Sequence, residues 1–203
     1  MVRKRMQKKR IILASGSPRR KLLLRALLNN FGLKFDVIQA NIVEYIPQNV
    51  KKFGNFAANL AELKALEVAV HKNGVIIAAD TIVVYKGKVL GKPIDKKDAE
   101  KTLKLLSGNE HSVYTGLVIY DTYDNKMYKT YEITKVTFRK ILNSEIKFYV
   151  SGGSPMDKAG AYGIQDDLGS TFVRKISGDY FNVVGLPLQK LYLGLNKFIK
   201  LIN

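Results

Sequence analysis

The chain has no cysteine and only two histidines, His71 and His111, among its 203 residues. Without cysteine there are no disulfides, thiolate nucleophiles or cysteine metal sites. The two histidines are far apart and lack the short spacing of a zinc motif. Any metal site must therefore use carboxylates and substrate oxygens, which are the ligands preferred by Mg²⁺ or Mn²⁺.

Long hydrophobic runs are also missing. The longest, such as Val75–Ala79 and Leu117–Tyr120, fall far short of the roughly 20 residues that a membrane helix needs. Only Ile11–Ala14 follows the basic N-terminus as an apolar stretch, which argues against a secretory signal. A composition of 46% hydrophobic and 25% charged residues is typical of a folded globular protein. We expect a cytoplasmic protein that does not span a membrane.

Acidic residues are scarce, and the formal net charge is +17. Residues 1–34 contain 11 basic residues and no acidic one, and six of the 11 lie in residues 1–10. A basic excess indicates an anionic partner such as a nucleotide, a nucleic acid or a membrane surface, although a charged tail is more often simply solvated. We predict a basic tail over residues 1–10 and a single catalytic domain over residues 11–203.

The hydrophobic pattern mixes helices and strands. Val75–Ala79 is a continuous apolar run, as expected for a buried central strand that ends at Asp80. Asn55–Lys72 predicts a long helix, with either its leucines or its alanines facing inward. Two long strands, Ser112–Tyr120 and Lys126–Phe138, predict an antiparallel pair. Together the patterns predict an α/β fold in which helices flank a mixed central sheet.

The segment Leu13–Lys21 predicts a strand, a turn of small residues and the beginning of a helix. Ser17 fits the N-cap and Pro18 the first helical position. The free N–H groups at such a helix end favour an anion. Ser15 and Ser17 add hydroxyl donors, and Arg19 and Arg20 add planar forks suited to phosphate oxygens. The alternative is an ordinary capped helix with surface arginines.

Further candidates are single residues, each with a plain structural alternative. Asp80 could bind Mg²⁺ or orient water, or could be an ordinary turn residue. Lys64 could face a cleft or extend its charge to solvent from the helix. Lys92 in Gly91-Lys92-Pro93 could contact phosphate, although a lysine in such a loop is more often a surface residue. Glu44 could be a second metal ligand or an exposed loop glutamate. Gln165 could recognise a base edge because its amide both donates and accepts.

Six segments, taken in order, resemble the Maf family of nucleotide pyrophosphatases, from about Ile11 to about Leu193. They are Leu13–Arg20, Ala79–Val83, Gly91–Pro93, Leu106–Gly108, Asp157–Gln165 and Val184–Leu188. Six ordered motifs are far more specific than any one of them. The resemblance implies a strongly twisted mixed sheet with two lobes around a cleft, similar to the inosine triphosphate pyrophosphatases. The Asp166-Asp167-Leu168 insertion before Gly169 and the basic tail depart from the family pattern.

The resemblance also implies roles for these residues, together with a divalent metal, Mg²⁺ or Mn²⁺, and a nucleoside triphosphate substrate. Asp80 matches the catalytic aspartate, as general base or metal ligand, and Glu44 matches an acidic cleft residue. The phosphate-binding positions are matched by Ser15, Arg20, Lys64 and Lys92. The positions that separate the branch acting on dTTP and UTP from the branch acting on 7-methyl-GTP are matched by Arg19, Thr81 and Gln165, and all three resemble the pyrimidine branch.

Two other functions remain open at the level of sequence. A nucleotidyltransferase also begins with a strand, a Ser/Gly turn and arginine, but would require an acceptor such as a sugar phosphate. An RNA-binding module would suit the net charge of +17 and the 11 tyrosines, although no RRM signature is present. The pyrophosphatase explains more of the motifs, requires no nucleic acid and leaves a homodimer open.

Overall fold

The computed structural model describes residues 9–43, 45–47, 49–165 and 167–202, without the side chain of Asp167. Its strands are β1 Ile11–Leu13, β2 Asp36–Val37, β3 Val75–Tyr85, β4 Lys88–Leu90, β5 Glu110–Asp121, β6 Lys126–Phe138 and β7 Val173–Ser177. Its helices are α1 Pro18–Asn29, α2 Phe53–His71, α3 Lys96–Leu106, α4 Asn143–Ser151, α5 Asp167–Ser170, α6 Tyr180–Val184 and α7 Leu188–Leu195. In the described part of the chain, no helix is long and apolar enough to cross a membrane.

One mixed sheet organises the molecule. Its strand order is β2-β1-β3-β5-β6-β7, with β4 also paired to β3. β1 runs parallel to both β2 and β3, whereas the pairs β3–β5, β5–β6 and β6–β7 are antiparallel. The predicted α/β class and the predicted antiparallel pair of long strands are therefore confirmed.

The central strand β3 does not end where we expected. Asp80 lies in its middle, because β3 continues to Tyr85 along an uninterrupted antiparallel partner, β5. The strand exchanges neighbours on its other edge, where β1 pairs up to Ile77 and β4 pairs from Val83. The prediction that a strand ends at Asp80 is wrong. The polar residues Asp80 and Thr81 mark the place where β3 changes its neighbouring strand, and the strand itself continues.

Helix α2 covers one face of the sheet through its small residues. Ala57, Ala61 and Ala65 are fully buried, whereas Leu63 and Leu66 are half exposed. Of the two inward faces that the sequence allowed, the alanine face is therefore the one that packs, apart from the buried Leu60. Alanine side chains let a helix lie close to a sheet, and this closeness determines the geometry of the site.

Helix α1 begins as its sequence predicts. Ser17 is the N-cap, its hydroxyl accepts from the Arg20 N–H at 3.5 Å, and Pro18 is the first helical residue. Leu23, Leu24 and Leu28 are buried against the other face of the sheet. The strand–turn–helix unit thus places both serines and both arginines at the end of β1, beside β3.

Candidate active site

A cleft opens where the edge of β3 changes partner. Between Ile77, the last residue paired with β1, and Val83, the first paired with β4, no described strand lies along this edge. Asp80 and Thr81 occupy that gap. Since successive side chains of a strand point to opposite faces, Asp80 lies on the α2 side and Thr81 on the α1 side.

Asp80 and Lys64 form a buried ion pair on the α2 side. The Lys64 ammonium donates to Asp80 Oδ1, and the two side chains are only 12% and 7% exposed. A charge buried this deeply is tolerated when it is paired. Gly116, the cross-strand partner of Asp80, allows this approach, because a Cβ there would lie 2.2 Å from the Ala57 carbonyl oxygen of α2. The pair therefore depends on the close packing of α2 against β5.

Arg20 is held on the opposite side by oxygen atoms from three parts of the chain. Its Nε donates to the Gly185 carbonyl at 2.8 Å, its Nη2 to Thr81 Oγ1 at 3.0 Å and its Nη1 to Ser15 Oγ at 3.4 Å. Gly185 ends α6 with a φ of +116°, a conformation that favours glycine. The guanidinium is thus fixed beside the end of β1, near the N-terminus of α1.

A second ion pair crosses the cleft near Arg20. Arg19 on α1 contacts Asp157 at 3.1 Å, and Lys158 contacts the same carboxylate at 2.7 Å. Partial burial would raise the pKa of Asp157, but the Lys158 hydrogen bond and the charge of Arg19 outweigh it and hold that pKa below its ordinary value. Asp157 therefore remains an anion at neutral pH, opposite the helix that carries both arginines.

The cleft consists of two adjoining cavities of about 140 and 480 Å³. The first contains Asp80, Thr81 and Gln165, and the second contains Ser15. Their shared lining residues are Ser17, Arg19, Arg20, Lys64, Lys92 and Asp157. Nine of the ten predicted site residues thus meet in one place, and the tenth, Glu44, lies outside the described residues.

The lining is cationic overall. Its described residues include the basic side chains of Arg19, Arg20, Lys64, Lys92 and Lys158, against the acidic side chains of Asp80 and Asp157. Lys92 is exposed, and among the described residues its ammonium has no ion-pair or hydrogen-bond partner. Such a surplus of positive charge suits a polyanion of several phosphates.

Sequence reasoning missed several residues around the cleft. Asp157 and Lys158 were seen only as part of a loop motif, and Thr115 and Asn182 were not considered. Thr115 contacts Thr81 from the neighbouring strand, and Asn182 lies on the unpredicted helix α6. No local pattern marks these residues, because their partners lie tens of residues away along the chain.

The described residues contain no group of three or more His, Asp or Glu side chains that could enclose a metal. The donor chemistry nevertheless fits Mg²⁺ or Mn²⁺, since Mg²⁺ is commonly held by one or two carboxylates together with substrate phosphates. Asp80 and Asp157 are the described carboxylates that line the cleft.

Comparisons with known proteins identify the family of this chain. The family model described as "Maf-like protein" matches residues 10–198. A dTTP/UTP pyrophosphatase of Clostridium botulinum is 47% identical over 187 residues, covering 90% of this chain and 94% of that protein. One from Thermoanaerobacter is 46% identical over 185 residues, covering 90% and 93%.

A solved structure titled as a nucleoside-triphosphatase, or dITP/XTP pyrophosphatase, of Mycobacterium abscessus is 14% identical with a TM-score of 0.47. It covers 96% of this chain and 100% of that one. The family match and the identity to the curated relatives extend over nearly the whole chain. This chain belongs to the Maf-like protein family.

Proposed function

We propose that the protein hydrolyses nucleoside triphosphates, with dTTP, UTP and related pyrimidine nucleotides as substrates, to a monophosphate and pyrophosphate. One observation carries the proposal: a single cationic cleft holds a buried carboxylate, Asp80, beside the arginine that follows the β1 turn. The relatives that are 46–47% identical are named as pyrophosphatases of those two nucleotides, which supports the choice of substrate.

Phosphate binding is assigned to the basic residues and the N-terminus of α1. A triphosphate carries three to four negative charges, and catalysis of its hydrolysis consists mainly of positioning and charge stabilisation. Arg20, Lys64 and Lys92 supply cations from three different elements. Ser15 and Ser17 lie in the turn where the helix N–H groups favour an anion. The three phosphates would therefore lie between the N-terminus of α1 and the cations of Lys64 and Lys92.

Water attacks the α-phosphorus, the α–β bridging bond breaks, and pyrophosphate leaves. We assign Asp80 to orienting that water and accepting its proton. The buried position restricts access of bulk solvent, and Lys64 fixes the direction of the carboxylate. Asp80 and substrate oxygens would hold Mg²⁺ or Mn²⁺, together with Glu44 as the sequence predicts. The metal would polarise the α-phosphate.

Recognition of the base is assigned to Gln165 with Arg19 and Thr81. Gln165 is exposed and lines the first cavity together with Ile164 and Gly163. Its amide can donate to and accept from the edge of a pyrimidine. On this assignment the base would lie toward the Asp157–Gln165 segment, opposite the phosphates.

The two other functions are less favoured. A nucleotidyltransferase or an RNA-binding module would not account for relatives that are named as pyrophosphatases. Homodimer formation and a cytoplasmic location stay predictions, and light scattering on the purified chain tests the first.

A substrate panel tests the proposal. Ordinary and modified nucleoside triphosphates are incubated with Mg²⁺ or Mn²⁺, and the monophosphate and pyrophosphate released are quantified. We expect both products in equal amounts, fastest with dTTP and UTP and without any acceptor. Release of inorganic phosphate and a diphosphate, or a requirement for a sugar phosphate, would contradict the proposal.

A further inference from the structure

A continuous chain of hydrogen bonds leads from Arg20 into the interior of the protein. Arg20 Nη2 donates to Thr81 Oγ1 at 3.0 Å, Thr81 Oγ1 lies 2.9 Å from Thr115 Oγ1, and Thr115 Oγ1 donates to the backbone carbonyl of Asn182 at 2.8 Å. We propose that Thr115 and Asn182 are positioning residues that orient the Arg20 fork for polyphosphate. This inference rests on the proposed function.

The direction of every proton in this chain follows from its two ends. A carbonyl oxygen can only accept, so the Thr115 hydroxyl proton points to Asn182. Thr115 must therefore accept from Thr81, and the Thr81 proton is committed to Thr115. Arginine can only donate, and the Thr81 oxygen, whose own proton goes to Thr115, accepts that bond through a lone pair. The chain has one self-consistent arrangement, and aligned hydrogen bonds of this kind strengthen one another.

Register and burial hold the two threonines together. Thr81 on β3 and Thr115 on β5 are direct cross-strand partners, so the sheet places their side chains next to each other on one face. Thr115 is fully buried. An interior hydroxyl that lost its partner would be costly to leave unpaired, and so the arrangement resists rotation of either side chain.

Asn182 anchors the far end and also links it to a second contact of Arg20. Its side chain is fully buried, and Nδ2 donates to the Val113 carbonyl at 3.0 Å and to Thr134 Oγ1 at 2.9 Å. These bonds attach α6 to β5 and β6. The same helix ends at Gly185, whose carbonyl accepts from Arg20 Nε. The guanidinium is thereby held at two nitrogens by groups that Asn182 positions.

This chain changes the expected role of Thr81. Because its proton is committed to Thr115, Thr81 does not donate to a nucleotide while the chain is intact. Its influence on substrate choice then acts through the orientation of Arg20. A preorganised fork of this kind lowers the cost of ordering a charged group when the phosphates bind.

Thr115→Val tests the inference, since valine has the shape of threonine without its hydroxyl. We expect roughly a 10-fold loss of affinity for inorganic tripolyphosphate, measured by calorimetry, which is the scale of one hydrogen bond. In hydrolysis of dTTP and UTP, the KM should rise more than kcat falls. Thr115→Ser should restore both values, because it restores the hydroxyl.

Two comparisons separate positioning from a general loss of stability. Thr122→Val removes a hydroxyl that accepts from the Gly74 N–H, far from the cleft, and should leave affinity and KM unchanged. In an Arg20→Lys background, Thr115→Val should add little further loss, because the group it orients is gone. If Thr115→Val does not yield folded protein, Thr115→Ala is subjected to the same comparisons.

Three outcomes would overturn the inference: unchanged tripolyphosphate affinity, no rescue by serine, or equal losses with and without Arg20. Failure of the proposed function is a separate result. In that case the wild-type chain would not hydrolyse dTTP or UTP, while its affinity for tripolyphosphate would still report on the positioning of Arg20.

Discussion

At the scale of single residues, the cations of the cleft differ in how many other contacts they make within the fold. Lys64 is buried against Asp80, and Arg20 is bonded to three parts of the chain. Lys92 is exposed and has no such partner among the described residues. It is therefore the cation whose contribution to catalysis can be measured without disturbing the fold.

Lys92→Ala should lower kcat/KM on dTTP and UTP by on the order of 10²-fold, the effect of losing one charge contact to the transition state. The free energy of unfolding should change by less than about 0.5 kcal/mol, as for most surface substitutions. Steady-state kinetics and urea unfolding measure the two quantities. Lys86→Ala, an exposed lysine in the β3–β4 turn, is the matched control. Normal kinetics of Lys92→Ala would remove Lys92 from the site.

His111 gives a prediction on pH and stability. It is buried on β5, Nε2 lies 2.8 Å from the Tyr162 hydroxyl, and burial lowers the pKa of His111 to about 4. An unfolded histidine titrates near 6.5, so the unfolded chain binds this proton first as the pH falls. The free energy of unfolding should therefore decrease from pH 6.5 to pH 4, by about 3 kcal/mol from this group.

Urea unfolding at pH 7, 5.5 and 4 measures that decrease. His111→Gln should be less stable at pH 7, and its free energy of unfolding should fall less between pH 6.5 and pH 4 than that of the wild type. His71→Gln, at an exposed histidine of α2, should keep the wild-type dependence. An identical pH profile for His111→Gln and the wild type would contradict the assignment.

Local chemistry determines what could be predicted at this scale. The Ser17 cap, Pro18 and the two arginines lie within a few residues of one another, so capping rules locate them. Thr115 and Asn182 have no such local signal, because the Thr81–Thr115 contact depends on strand register. Asp157 lies 138 positions from Arg19, and only the folded chain brings them together.

At the scale of elements, the contact between α2 and β5 controls the site. Gly116 faces the backbone of α2 at Ala57, and it is the cross-strand partner of Asp80. Any displacement of the helix moves Lys64, since Lys64 lies two turns further along α2. We therefore expect helix packing and catalysis to be coupled at Gly116.

Gly116→Ala should force α2 away from β5, because the new Cβ would lie 2.2 Å from the Ala57 carbonyl oxygen. We expect a loss of about 1–3 kcal/mol in the free energy of unfolding, the usual cost of overpacking, together with a lower kcat. Thermal unfolding and dTTP hydrolysis measure both. Gly152→Ala, where the nearest heavy atom to a Cβ is 3.6 Å away, should be tolerated. Full activity of Gly116→Ala would refute this coupling.

Element types were easier to predict from the sequence than their ends. The apolar run before Asp80 predicted a strand correctly. The sequence could not show that β3 continues, because polar residues at a change of neighbouring strand look the same as polar residues at a strand end. Pairing partners are distant in sequence, so local composition cannot indicate where pairing stops.

At the scale of the whole molecule, the Arg19–Asp157 pair joins the two sides of the cleft. Asp157 is more than half exposed, and it pairs with Arg19, whose guanidinium could otherwise bind phosphate. An exposed pair of this kind is worth at most about 1 kcal/mol. A polyphosphate therefore has to compete with Asp157, but only weakly.

Asp157→Asn should strengthen binding of tripolyphosphate and lower the KM for dTTP and UTP, by up to about 5-fold on the energy scale of such pairs. Calorimetry and initial rates measure the change. Asp124→Asn, which removes an equal charge near Lys9, is the control and should have little effect. A weaker affinity in Asp157→Asn would show that the carboxylate assists binding.

The central claim is that Asp80 performs the chemistry in a cleft that binds triphosphate through its cations. Asp80→Asn keeps the shape of the side chain and removes its charge. We predict that kcat on dTTP and UTP falls by on the order of 10²–10³-fold, while calorimetry still detects tripolyphosphate binding to the folded variant. Turnover close to that of the wild type would contradict the account.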